Sequence, residues 1–186
     1  LGESFVFASD HRSASEQLKI WRDHAGNPAQ LARERGCRLP AAGAARRQAI
    51  ALCILKYNSM PGTSRHHWGT DVDLNSTENA YWTTPRGRKI KSWLDANAAR
   101  FGFCQVYAPN RDGSPRKGYK DEAWHWSYMP FAAQMLAEYE AHVTDKDIMT
   151  ALGGASSGVQ ADDIAALNIR RDYVGGIADT CRDWKS

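Results

Sequence analysis

The chain has 186 residues, enough to bury a core without a structural metal or disulfides, and about two fifths of them are apolar, which excludes a disordered chain. Its formal charge of +3 comes from basic residues scattered in short groups ("RERGCR", "ARRQ", "RGRKIK", "NIRRD") with no aromatic-basic pattern, so nucleic acid is not an expected partner. No stretch approaches the ~18 consecutive apolar residues that a membrane span needs, so no transmembrane segment is expected.

The chain opens at Leu1 on no basic-then-apolar signal segment, so a leader removed by processing, or lying upstream, is an open expectation. Cys37, Cys53, Cys104 and Cys181 are widely spaced and form no C-x-x-C pair, which removes the main support for a zinc finger or a thioredoxin motif. Their even number allows two disulfides in any of three pairings, as suits an exported protein, or four buried free thiols.

In chain order, "FVFAS" alternates as a strand through Phe5 and Phe7, and a helix carrying Leu18 and Trp21 follows, with Ser13 or Ser15 as N-cap. The stretch Gly26 to Ala45 reads as an insertion or lid containing one short helix, "AQLARERG". "ARRQAIALCILKYN" places Ile50, Cys53, Ile54 and Tyr57 on one helical face, ended by "MPG". "TDVDL" alternates as a strand, and "KIKSWLDANAARFGF" is a helix stopped by Gly102. "FCQVYA" and "AWHWSYM" are strands joined by a long loop. After Pro130 come a helix, a second one capped by Thr144 and Asp147, and two shorter helical pieces over Gln160–Ala166 and Val174–Trp184. There is no internal repeat and no linker.

Three stretches could carry chemistry. "PGTSRHHWGTDVDLN" holds His66, His67, Asp71 and Asp73; in a strand the two aspartates share a face, and Gly69 lets the preceding loop bring a histidine beside them. "DEAWHWSY" sets Glu122 three residues before His125, the minimal kit for hydrolysis if the histidine binds a metal and the carboxylate takes a proton from water. "SDHRSASEQ" offers Arg12 as a fixed cation for a carboxylate or oxyanion. The residues alone do not choose between His66 and His67, or between Asp71 and Asp73.

Taken together, these stretches resemble the LAS metallopeptidases, in the D-alanyl-D-alanine carboxypeptidase (VanY-like) branch. The motif S-x-H-x-x-G-x-x-x-D is matched by Ser64, His66, Gly69 and Asp73, and E-x-W-H by Glu122, Trp124 and His125. The resemblance extends from roughly Phe5 to Tyr128 and includes Arg12, Gln17 and the "GF" plus tyrosine of "FGFCQVY". "SDHRS" departs from the glycine and tyrosine that more often precede the arginine, which affects the pocket near Arg12.

The resemblance implies an α+β fold of the LAS or Hedgehog-like kind, a small mostly antiparallel sheet carrying the zinc site and packed with helices. It implies one domain over 1–186, with a catalytic core at about 5–130 and a C-terminal helical segment, 131–186, in the same domain. His66, Asp73 and His125 become ligands of one Zn2+, Glu122 the general base, and Arg12 the cation steadying the oxyanion or the substrate carboxylate. Ser64, Tyr107, Gln17, Asp71 and Trp124 become substrate-pocket residues, with His67 and Asp71 also candidates to orient a ligand. The implied activity is hydrolysis of the terminal peptide bond of peptidoglycan stem peptides by a periplasmic or exported bacterial enzyme. Substrate preference falls to Gly26–Ala45 and Pro109–Gly118. The alternatives are an endopeptidase of the same fold, a zinc-containing binding domain without catalysis, which would not need Glu122 and Arg12 beside the metal triad, and a wall-binding module, which would be expected to show repeats or a linker.

Overall fold

The computed structural model describes residues 2–154 and 158–184. Its centre is a four-stranded antiparallel sheet of β1 (Phe7–Ser9), β2 (Asp71–Leu74), β3 (Phe103–Cys104) and β4 (His125–Tyr128), in the order β1-β2-β4-β3. The helices surround this sheet, giving the expected α+β arrangement.

Alternation along the strands decides what each face of the sheet does. Val72 and Leu74 of β2, with Trp126 of β4 and the adjoining Trp124, join Trp82, Ile90, Leu94 and Ala98 in one apolar cluster. Three of these come from α4 (Asn79–Trp82) and α5 (Pro85–Asn97), the latter started by the Thr84 cap and Pro85 at its first position. Ala98 opens the 3-10 turn that prolongs α5 to Phe101 and ends at Gly102. Gly102 has φ +84°, and a Cβ there would lie 2.7 Å from the Tyr128 ring, so both the turn and the close approach call for glycine. The opposite face of β2 and β4 carries the intervening residues Asp71, Asp73, His125 and Ser127.

The larger cluster gathers Trp21 of α1 (Ala14–Gly26), Leu31 of α2 (Pro28–Arg35), Ala51, Cys53 and Ile54 of α3 (Gly43–Ile54), and Met129, Ala132, Leu136 and Tyr139 of α6 (Met129–His142). Ile148 of α7 (Asp145–Ala151), Ile164 of α8 (Ala161–Ala166) and Cys181 of α9 (Asp179–Arg182) belong to it too, so the C-terminal helices share this core with α1 and α3. Two caps follow the sequence: Ser13 and Glu16 form a capping box on α1, and Thr144 and Asp147 one on α7.

Several expectations need correction. Gly26–Ala45 is no detached lid: Leu31 is buried, a disulfide joins Cys37 to Cys53, and the Arg35 guanidinium donates to the carbonyls of Cys53 and Ile54. Those two bonds fall on the last carbonyls of α3, which ends at Ile54, well before "MPG". The strand expected over "FCQVYA" stops at Cys104, because the next carbonyls serve other partners: Val106 O accepts from Ala178 N, and Tyr107 O from Glu122 N. The helix expected over Val174–Trp184 is interrupted by Gly175 and Gly176, leaving a π-turn over Ile169–Val174 and the four residues of α9. A Cβ on Gly176 would stand 2.0 Å from the Asp172 carbonyl oxygen, too close for any other residue. The open choice of cysteine pairing closes as Cys37–Cys53 and Cys104–Cys181, with no free cysteine.

Candidate active site

Strand register builds the centre of the site. β2 and β4 pair Asp73 with His125, and the backbone N–H of Arg12 donates to His66 O, which draws the 3-10 turn Arg65–Trp68 toward the β1 end of the sheet. Gly69, at φ +70°, closes that turn and returns the chain into β2. One atom each from His66, Asp73 and His125 then lies within 4.8 Å of the others, and all three residues are buried.

The outer nitrogens fix which inner nitrogens face the centre. His66 Nδ1 lies 2.6 Å from the Asp10 carbonyl oxygen, which can only accept, so Nδ1 donates and Nε2, 3.4 Å from Asp73 Oδ2, is the nitrogen left facing the centre. His125 Nε2 lies 2.9 Å from Asp71 Oδ1, which leaves Nδ1 3.3 Å from both Asp73 Oδ1 and Glu122 Oε2. Asp73 Oδ1 is buried and has no hydrogen-bond partner. A cation placed among His66 Nε2, Asp73 and His125 Nδ1 would serve all three at once, and two imidazoles with one carboxylate are a donor set suited to zinc that keeps a position open. These residues fit the metal.

Glu122 is held from both sides along the backbone. Its N–H donates to Tyr107 O at 2.8 Å, and its carbonyl accepts from Gln105 Nε2 at 2.9 Å. The residue is 4% exposed, and burial raises its pKa above the ordinary carboxylate value, the direction that suits a proton carrier near neutral pH. Burial also raises the Tyr107 phenol well above its usual value, so Tyr107 faces the site as a neutral ring, centred 4.6 Å from that of His125.

Arg12 is aimed by two side-chain bonds, Nη1 to Gln17 Oε1 at 2.8 Å and Nη2 to Ser9 Oγ at 2.7 Å, and Nη2 stands 4.0 Å from Asp73 Oδ2. His67 holds the arginine's backbone: its Nδ1 donates to Arg12 O at 2.6 Å while Nε2 accepts from Gly62 N. Burial lowers the pKa of His67, in keeping with a neutral ring in that role.

A cleft of about 660 Å³ opens over these groups. Arg12, His66, Asp73, Tyr107, Glu122, Trp124 and His125 all line it, as do Arg35, Tyr57 and Tyr119. Three of the expected pocket residues do not. Gln17 is fully buried and spends its side chain on Arg12 and the Ser59 carbonyl; Ser64 is buried; Asp71 lies behind His125 with no exposed side-chain surface. Of the two stretches expected to set preference, Gly26–Ala45 reaches the cleft through Glu34 and Arg35, while residues 109–118 do not line it.

Comparison with known proteins gives this geometry its family. Residues 2–131 match the model of the VanY family, described as D-alanyl-D-alanine carboxypeptidase. The chain belongs to this family. A D-alanyl-D-alanine carboxypeptidase of Enterococcus faecalis is 37% identical over 75 residues, covering 40% of this chain and 26% of the relative, so the match spans about a quarter of that protein. Among solved structures, a vancomycin-resistance D,D-pentapeptidase VanY variant in complex with Zn(II) is 26% identical, with 80% of this chain and 72% of that chain covered and a TM-score of 0.47. VanYB in complex with D-alanine-D-alanine is 27% identical over 77% of this chain and 74% of that chain, with a TM-score of 0.46.

Sequence reasoning passed over Arg65, Thr70 and Ser127, which pack around Asp71 behind the family's ligand triad. None of them shows a periodic signal. The hint available was an arginine placed inside the histidine motif itself, next to His66.

Proposed function

We propose that this protein is a zinc-dependent D,D-carboxypeptidase that removes the terminal D-alanine from peptidoglycan stem peptides. The observation that carries the reading is the position of Glu122: buried at the floor of an open cleft, its Oε2 3.3 Å from the nitrogen of His125 that turns toward Asp73. A purely structural metal site needs no carboxylate beside its ligands and no cleft above them.

Zinc held by His66, Asp73 and His125 would polarise the scissile carbonyl and make water a better nucleophile. Glu122 takes the proton of the attacking water and hands it to the departing amine, so the carboxylate is restored at each turnover. Arg12, fixed by Ser9 and Gln17, presents a guanidinium to the oxygen on which negative charge develops, or to the terminal carboxylate beside it. Tyr107 and Trp124 give the cleft an apolar wall against which a small D-amino-acid side chain can rest. The described residues include no helix long and apolar enough to cross a membrane, and the two disulfides favour an exported or periplasmic setting facing the cell wall.

Mass spectrometry of muropeptides ending in D-Ala-D-Ala, incubated with zinc-loaded protein, tests the reading. Loss of one alanine is expected. Cleavage elsewhere in the stem would replace it with an endopeptidase, and no cleavage by protein that holds zinc would replace it with a binding domain.

A further inference from the structure

Behind the ligand triad lies a charged cluster that the peptidase reading does not use. Arg65 is 1% exposed, and Nε donates to Asp71 Oδ1 at 3.0 Å while Nη2 donates to Ser127 Oγ at 2.8 Å. Its guanidinium carbon stands 4.5 Å from the centre of the Trp68 ring. Asp71 accepts on both oxygens: Oδ1 from Arg65 Nε and His125 Nε2, and Oδ2 from Thr70 Oγ1 at 2.7 Å and Ser127 Oγ at 2.9 Å. A buried arginine is costly unless paired and bonded, and here its charge is matched by one carboxylate whose four acceptor positions are all filled.

That filling settles the proton next door. Asp71 Oδ1 already accepts from a guanidinium N–H and Oδ2 from two hydroxyls, so the carboxyl has no hydrogen to offer His125. The hydrogen in the 2.9 Å contact therefore sits on His125 Nε2, and Nδ1 is the ring nitrogen that faces Asp73 and Glu122.

We propose that Arg65 and Asp71 are positioning residues for the metal: the buried pair locks His125 as an Nε2–H tautomer and presets Nδ1 as the ligand atom. The inference rests on the reading that His66, Asp73 and His125 hold zinc. Arg65 acts through Asp71, holding its carboxylate in place, and Ser127 ties the two together across the β2–β4 pair.

Two measurements on the full chain test this, and neither needs a peptide, so the inference can fail while the peptidase reading holds. The first is long-range 1H–15N correlation of the histidine rings in zinc-loaded protein, where His125 is expected to show a protonated Nε2 and a coordinated Nδ1. Coordination through Nε2 would overturn the proposal. The second is zinc affinity by competition with a chromophoric chelator. Asp71→Ala is expected to bind zinc about 10- to 100-fold more weakly, the usual effect of losing a ligand's orienting partner, and Asp71→Asn, which keeps an acceptor oxygen but not the charge, is expected to fall between it and the wild type. Folded Asp71→Ala protein with wild-type affinity would also overturn it. If Asp71→Ala does not fold, the wild-type tautomer and the Asn variant decide the matter, and wild-type protein that binds no zinc would end both this inference and the metal site.

Discussion

Removing the two disulfides one at a time should separate stability from function. Cys104–Cys181 closes a loop with a sequence separation of 77, tying the edge strand β3 to α9, whereas Cys37–Cys53 closes one of 16, tying the segment just after α2 to α3. In the chain-entropy account the longer cross-link restrains the unfolded chain by about 4.5 kcal/mol and the shorter by about 3 kcal/mol. Against a total stability on the order of 5–15 kcal/mol, either loss is large. Urea unfolding of Cys104→Ala/Cys181→Ala should therefore show a lower extrapolated stability than Cys37→Ala/Cys53→Ala, by about 1.5 kcal/mol. The order should reverse for substrate binding. The shorter bridge follows Arg35, which lines the cleft and braces the end of α3, so its loss should raise KM more than loss of the longer bridge. If the Cys37–Cys53 variant proved the less stable of the two, loop closure would not be what these bridges contribute.

Other outcomes follow from single groups. Glu122→Gln should keep bound zinc and the unfolding midpoint but lose about 10²- to 10⁴-fold in kcat for D-alanine release, since the amide cannot carry the proton. Arg12→Lys keeps the charge but not the fork held by Ser9 and Gln17; kcat should fall by about 10²-fold with zinc content unchanged. Asp163 tests pH dependence away from the site. Burial would raise its pKa, but bonds from the Gln160 backbone, Gln48 and Arg47 prevail and hold it below the ordinary 3.8. Its contribution is thus present above pH 3.8 and lost as pH falls through its lower folded value, so thermal melts should find Asp163→Asn less stable than wild type at pH 7, with the gap closing below about pH 3.8.

What could be read from the sequence was local or carried by a spaced motif. The Ser13 and Thr144 caps are written within four residues, and strand alternation alone puts Asp71 and Asp73 on one face. The spacing of the family motif, not the residues in isolation, singled out His66 and Asp73, and the structure brings both to His125. What stayed hidden depends on partners far along the chain. The shortness of β3 follows from Ala178 and Glu122 taking the carbonyls after it, and the ordering of α2 from contacts to Cys53 and Ile54. Gln17 and Asp71, expected in the pocket, are instead buried behind Arg12 and His125, because a polar side chain next to a motif can serve the motif residue as readily as a substrate.

The most direct measurement is titration of metal-free protein with zinc while D-alanine release from a D-Ala-D-Ala stem peptide is followed. Zinc bound by His66, Asp73 and His125 should give no release without metal, a rise that saturates at one zinc per chain, and no rise in His66→Ala. Full activity in the metal-free protein, or one tightly bound zinc with no release of D-alanine, would contradict this role of zinc.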